Sequence, residues 1–253
     1  MSAAIIIQAR MGSTRLPGKS LMEIDGKPLI WHVVERAKKS KLAAKVVLAT
    51  TADKKDDALA EFAKKNFIAL FRGDLEDVLD RYYQAAKSTG AKIIVRITGD
   101  SPLVDPQLID KAIQTLQKGG YDYVSNGKQP WMDGFDVEAF TFAALEKAWK
   151  EAKMASEREH VTPYIRNSGK FRVSYLENDP RLDGVQCSVD REKDLELVRE
   201  IYGRMKAKGS SHDFSYNDVI ALFESEPALL KINAGSVVNE GYAKSVREDK
   251  KVK

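Results

Sequence analysis

The stretch Ala4-Ile5-Ile6-Ile7-Gln8-Ala9-Arg10-Met11-Gly12-Ser13-Thr14-Arg15-Leu16-Pro17-Gly18-Lys19 decides the fold. Four apolar residues run straight into a loop with three cations and two glycines. An unbroken apolar run of this length suits a strand covered on both faces. In open α/β sheets the carboxyl ends of strands border the ligand crevice, so the loop lies where a ligand binds. Glycine lets backbone amides approach an anion, Arg offers a fork of donors and Lys a point charge. A triphosphate matches that set. The phosphate-binding P-loop is a near miss: five residues separate Gly12 from Gly18 where that motif needs four, and Gly26 and Pro28 interrupt any following helix. The dinucleotide fingerprint G-x-G-x-x-G is absent here too.

Working outward, Val46–Ala49 and Ile93–Val95 repeat the apolar-run pattern. Between them, Leu59, Phe62 and Ala63, and then Leu79, Tyr82, Tyr83 and Ala86, share helix faces. Pro28 can open a helix with Leu29, Ile30, Val33, Val34 and Ala37 inward. This alternation predicts βαβ units and a mostly parallel sheet. Further on, Tyr121–Val124, Val137–Phe140 and Phe171–Leu176 read as strands, and Phe142–Lys153 and Leu195–Tyr202 as helices. The expected organisation is a domain over residues 1–231 and an arm or tail over 232–253 that packs on a partner subunit.

Composition narrows the class. Among 253 residues, 41 basic and 37 acidic side chains leave a net charge of +4, too small an excess to argue for nucleic acid. No run of eighteen apolar residues predicts a membrane span, and residues 1–7 lack the basic start of a secretory signal. Cys187 is the single cysteine, so no intrachain disulfide forms, which fits a reducing cytoplasm. No zinc-spaced Cys/His cluster and no G-x-S-x-G elbow occurs.

The opening motif Ile6 to Lys19 resembles that of the acylneuraminate/KDO cytidylyltransferase superfamily, and within it the SpsF-like group of spore coat polysaccharide biosynthesis proteins. The likeness continues through Asp25-Gly26-Lys27-Pro28-Leu29, Phe71-Arg72-Gly73, Asp77–Tyr83, Arg96–Leu103, Asp122–Asn126, Ser156–Tyr164, Val189-Asp190 and Asn239-Glu240-Gly241-Tyr242. The resemblance implies a GT-A-like nucleotide-diphospho-sugar transferase fold, CTP as donor, Mg²⁺, a dimer, and surface-polysaccharide or sugar-acid metabolism. It implies nucleotide contacts from Gln8, Ala9, Arg10, Gly12, Ser13 and Arg81, and Mg²⁺ held by Asp100 and Asp190.

Taken as residues, Asp100 ends a central strand and faces the same crevice as the first loop, a natural place for a magnesium carboxylate. Asp190 reads equally as a helix N-cap. Arg15, Lys19 and Asp100 are expected to carry the chemistry. Arg72 and Arg96 are candidates for phosphate or acceptor contacts. Asp136 and Glu138 share a strand face, facing either the acceptor or, with slight preference, solvent. Arg158 and His160 stand as an anionic-acceptor site or as part of an ordinary capped helix. Asp77 and Asp80 read as cap and surface, and His32 and His212 as chemically idle. The rival enzyme class is a glycosyltransferase on the same fold, but its customary Asp-x-Asp is missing. A non-catalytic nucleotide-binding subunit is the other alternative.

Overall fold

The computed structural model describes residues 1–127, 131–178, 182, 184–236 and 240–252. A seven-stranded sheet forms from β1 (Ala3–Gln8), β4 (Ala43–Thr51), β5 (Ala69–Gly73), β6 (Ile93–Thr98), β7 (Tyr123–Ser125), β8 (Glu138–Thr141) and β9 (Val173–Tyr175), in the order β5-β4-β1-β6-β8-β7-β9. Only β8 runs against its neighbours; the other pairings are parallel. A separate two-residue hairpin pairs β2 (Glu23–Ile24) with β3 (Lys27–Pro28).

Side chains on β1 alternate between two cores, as the period of two in a strand requires. Ile5 and Ile7 face one, with α1 (Leu29–Ala37), α2 (Asp57–Lys65), α4 (Pro106–Gly119), α8 (Glu192–Ala207) and α9 (Tyr216–Ser225). Ala4 and Ile6 face the other, with α3 (Val78–Thr89), α5 (Phe142–Glu151) and α7 (Pro163–Asn167). Two covered faces explain why β1 carries no polar residue before Gln8. The expected mostly parallel α/β sheet is what the chain forms. Strand and helix ends differ from expectation by up to three residues, except that α8 runs five residues past Tyr202; at its start, Asp194 accepts the Arg191 amide and caps the helix from within its first turn.

The chain's last described part does not stand apart. Asn233 donates to the Gln186 carbonyl and to Asp194. Then α6 (Ala155–His160) receives α10 (Glu240–Arg247), and a bridge joins Met154 to Lys251. The expected arm therefore folds back on its own chain. Asn239, quoted above, lies outside the described residues. No described helix is long and apolar enough to cross a membrane.

Candidate active site

At the carboxyl end of β1 the loop closes on itself: the Gly18 amide donates to Met11 O at 3.1 Å. Gly18 has φ +75°, a left-handed turn that glycine enters without strain. This turn sends Lys19 inward. Its ammonium donates to Asp100 Oδ2 at 2.9 Å, Asp190 Oδ1 at 3.0 Å and Val189 O at 2.7 Å. Asp100 follows β6. Asp190 arrives beside it because the Val189 amide donates to Asp100 O at 2.9 Å. Arg15 adds a second cation, with Nη2 2.6 Å from Asp190 Oδ2.

Burial alone would lower the Lys19 pKa, but Asp100 and Asp190 outweigh it and hold the ammonium above its ordinary value. Burial alone would raise Asp100; Lys19 reverses that and keeps the carboxyl ionised. The question left open for Asp190 is answered by Asp194. That residue caps α8, accepting from the Asp190 and Arg191 amides, so the Asp190 carboxylate is spent on Lys19 and Arg15.

These groups line a cavity of about 990 Å³. Gln8, Ala9, Arg10 and Ser13 form its floor, Arg81 and the Asp74–Val78 turn one side, and α6 with α10 the other. Arg81 is 2% exposed; it donates to Asp74 O at 3.0 Å, while its buried Nε has no hydrogen-bond partner. Gly73 makes room for it: a Cβ there would lie 3.0 Å from Arg81 Cγ. A buried donor without a partner is costly unless a ligand takes it. His160 also borders the cavity. Burial lowers its pKa and favours the neutral ring, which meets Tyr242 edge-on at 5.0 Å between centroids.

Several expected residues lie elsewhere. Arg72 spends its donors on Thr51 O, Asp53 O and Asp57, holding the loop after β4 and not the cavity. Gly12 is exposed and off the cavity wall, and a Cβ there would meet nothing within 4 Å. Glu138 is not on a solvated face. It is buried, and accepts from Arg96 at 2.5 Å and from Tyr123 and Thr162 at 2.6 Å each. Arg96 also donates to Gln8 Oε1 at 3.2 Å. This cluster braces the floor and leaves Glu138 no role on the wall. Asp136 sits behind it. Burial raises the Asp136 pKa, while burial and Asp136 together push Asp133 up to about 8. Arg158 reaches the cavity wall, but its guanidinium is engaged by Asp77 at 2.6 Å and by Trp149 O at 3.0 Å. It ties α6 to α3, as Asp77 caps α3 with its other oxygen.

Sequence reasoning gave no role to Glu240 or, beyond the cap it read at Asp77, to the Asp74–Val78 turn. Glu240 stood in the quoted Glu240-Gly241-Tyr242 segment, and its acidity beside a cation-rich loop was the available signal.

The parallel sheet, the cation-lined loop and the two converging acids define a nucleotidyltransferase of GT-A-like fold. The sequence model of the cytidylyltransferase family matches residues 4–208, and the chain belongs to that family. It is 45% identical over 232 residues to an uncharacterized protein of Methanocaldococcus jannaschii, covering 90% of this chain and 93% of that one. It is 35% identical over 230 residues to the spore coat polysaccharide biosynthesis protein SpsF of Bacillus subtilis, covering 88% and 94%. A solved cytidylyltransferase from Leptospira borgpetersenii superposes with a TM-score of 0.85 at 34% identity, covering 93% of this chain and 98% of that one.

Proposed function

We propose that the protein transfers CMP from CTP to a small sugar acid or related acceptor, releasing pyrophosphate, in surface polysaccharide biosynthesis. The observation that carries this reading is the convergence of Lys19, Asp100 and Asp190 within 3.0 Å, with Arg15 beside them. An acceptor oxygen attacks the α-phosphorus, its proton passes to water, the bond from that phosphorus to the bridging oxygen breaks, and pyrophosphate leaves with the electron pair. Arg10, Arg15, Lys19 and Arg81 hold the phosphates and offset the charge on the departing group, so the protein works by position and electrostatics. A cavity at the upper end of the usual ligand-site range has room for donor and acceptor together.

Asp100 and Asp190 would hold Mg²⁺. The donor chemistry fits: two carboxylates already converge on one cationic atom, and Mg²⁺ favours one or two carboxylates completed by phosphate oxygens and water. When bound, the ion supplies Lewis-acid polarisation of the phosphate oxygens. A homodimer in the cytoplasm belongs to the same proposal.

The test is a pyrophosphate-release screen of the four nucleoside triphosphates against sugar acids and polyol phosphates. CTP is expected to be the active donor, and Asp100→Asn to lose release while remaining folded. Release that survives Asp100→Asn, or released nucleotide without pyrophosphate, overturns the reading.

A further inference from the structure

Both terminal nitrogens of Arg15 are committed to carboxylates. One is on Asp190, within the site. The other is on Glu240, from α10, 225 residues away in the chain, at 3.2 Å. Glu240 accepts from Arg191 at 2.9 Å as well. So one arm carboxylate lies between two cations, of which Arg15 lines the cavity.

The rest of the arm covers the same cavity. Gly241, Lys244, Ser245, Glu248, Lys250 and Val252 form its wall. None of the residues of α10 is fully buried, and its one aromatic contact is half-buried Tyr242, edge-on to His160 and under Arg166. Polar contacts hold it. Ser245 donates to Glu159 at 2.7 Å, Ser156 gives two bonds to Asp249, and backbone bonds pair Ala155 with Lys250 and Val252 with Lys153. The Ser245 contact is exposed and the Ser156–Asp249 pair part-buried, and hydrogen bonds of this kind each contribute about 0.5–1.5 kcal/mol. A helix held this way is released by losing one or two of them.

We propose that Glu240 is a positioning residue that acts through Arg15: it stands in for a phosphate on Arg15 and Arg191, and a bound nucleoside triphosphate displaces it and loosens the arm. This rests on the proposed function, because it assigns Arg15 to the phosphates. The chemistry is an exchange of anions with no bond made or broken. A triphosphate carries several negative charges and forms forked contacts with Arg, so it competes well against a single carboxylate that is 44% exposed. The consequence is a site whose entrance is narrowed until the donor substrate arrives.

The experiment uses the full chain, CTP with magnesium chloride as the probe, and Glu240→Gln, a surface change that leaves the core intact. Calorimetric titration is expected to show CTP binding about three- to fivefold tighter in the variant, the value of one exposed ion pair no longer opposing it. A residue that only supports the fold gives the opposite sign when removed, so equal or weaker binding overturns the proposal. Hydrogen exchange supplies the second reading. In the wild-type chain CTP is expected to speed exchange across residues 240–252, and Glu240→Gln is expected to show that faster exchange with no CTP present. Arm exchange unchanged in ligand-free Glu240→Gln overturns the latch whether or not CTP binds. A wild-type chain that binds no CTP overturns the proposed function and the displacement with it, and an arm loosened in Glu240→Gln then shows only that Glu240 tethers the arm.

Discussion

Removing the Lys19 ammonium tests the site and its electrostatics together. In Lys19→Ala, Asp100 and Asp190 lose a cation held within 3.0 Å of each, and Arg15 on Asp190 is the remaining cation bonded to the pair. Taking one partner from a fully buried ion pair costs about 3–5 kcal/mol. Here the carboxylate side chains keep 28% and 25% exposure, so water screens part of the repulsion and the cost falls to about 1–2 kcal/mol. For a chain of this size that is a melting temperature lower by roughly 3–6 °C. The sign of the pH effect is fixed too. Asp100 is held below its ordinary carboxyl value, so its contribution is present above that value and lost as pH falls through the lowered one. Without Lys19 the acid-side loss of stability moves to higher pH. On the proposed magnesium site, Mg²⁺ would offer the carboxylates a replacement charge, so magnesium chloride should raise the melting temperature more in the variant than in the wild type. Pyrophosphate release should fall by about 10²–10³-fold. The assays are differential scanning fluorimetry across pH, with and without magnesium, and a coupled pyrophosphate assay. A variant with wild-type melting, wild-type magnesium response and a rate within about threefold of wild type would refute the reasoning.

Three other outcomes are expected. Glu138→Gln strips the counter-charge from buried Arg96 and should cost about 3–5 kcal/mol, read as a lower urea midpoint with unchanged slope. His32 is fully buried and burial lowers its pKa to about 4 from 6.5, so the unfolded chain takes up that proton first. Stability should be flat above pH 6.5 and decline toward pH 4 by up to about 3 kcal/mol, and His32→Asn should flatten that slope in urea titrations at successive pH values. Arg72→Ala should leave the CTP dissociation constant unchanged by calorimetry while lowering stability by about 1 kcal/mol, because its contacts hold the loop after β4.

The parts of the fold legible in the sequence are those where burial is complete. β1, β4 and β6 lie in the middle of a doubly covered sheet, and their apolar runs admit few readings. The shorter strands β7, β8 and β9 differed at their ends by one or two residues because mixed polarity blurs where a strand begins. Alternation put Asp136 and Glu138 on one face but could not say that the face was covered; Arg96, Tyr123 and Thr162 arrive there from three other elements. Lys19 and Asp100 were readable because strand ends in such sheets converge. Asp190 was undecided, since a second acid at Asp194 competes for the cap, and only coordinates show which one takes it. Arg72 and Arg81 look alike as letters. The difference is that Gly73 lets Arg81 pack inward, whereas Arg72 turns to the Thr51 and Asp53 carbonyls. The arm has no long periodic face to find, because its helix has eight residues and none of them is fully buried.

The tight seam at Gly99 has a consequence for how this molecule can diversify. Its amide donates to Gln8 O at 2.7 Å, and a methyl group there would come within 2.7 Å of the Ala9 Cβ. The first loop and the turn that bears Asp100 are therefore one rigid jaw, and a single added carbon would wedge it open. Descendants that accept a different ligand have to leave that jaw alone and edit the opposing side, where α6 and α10 meet.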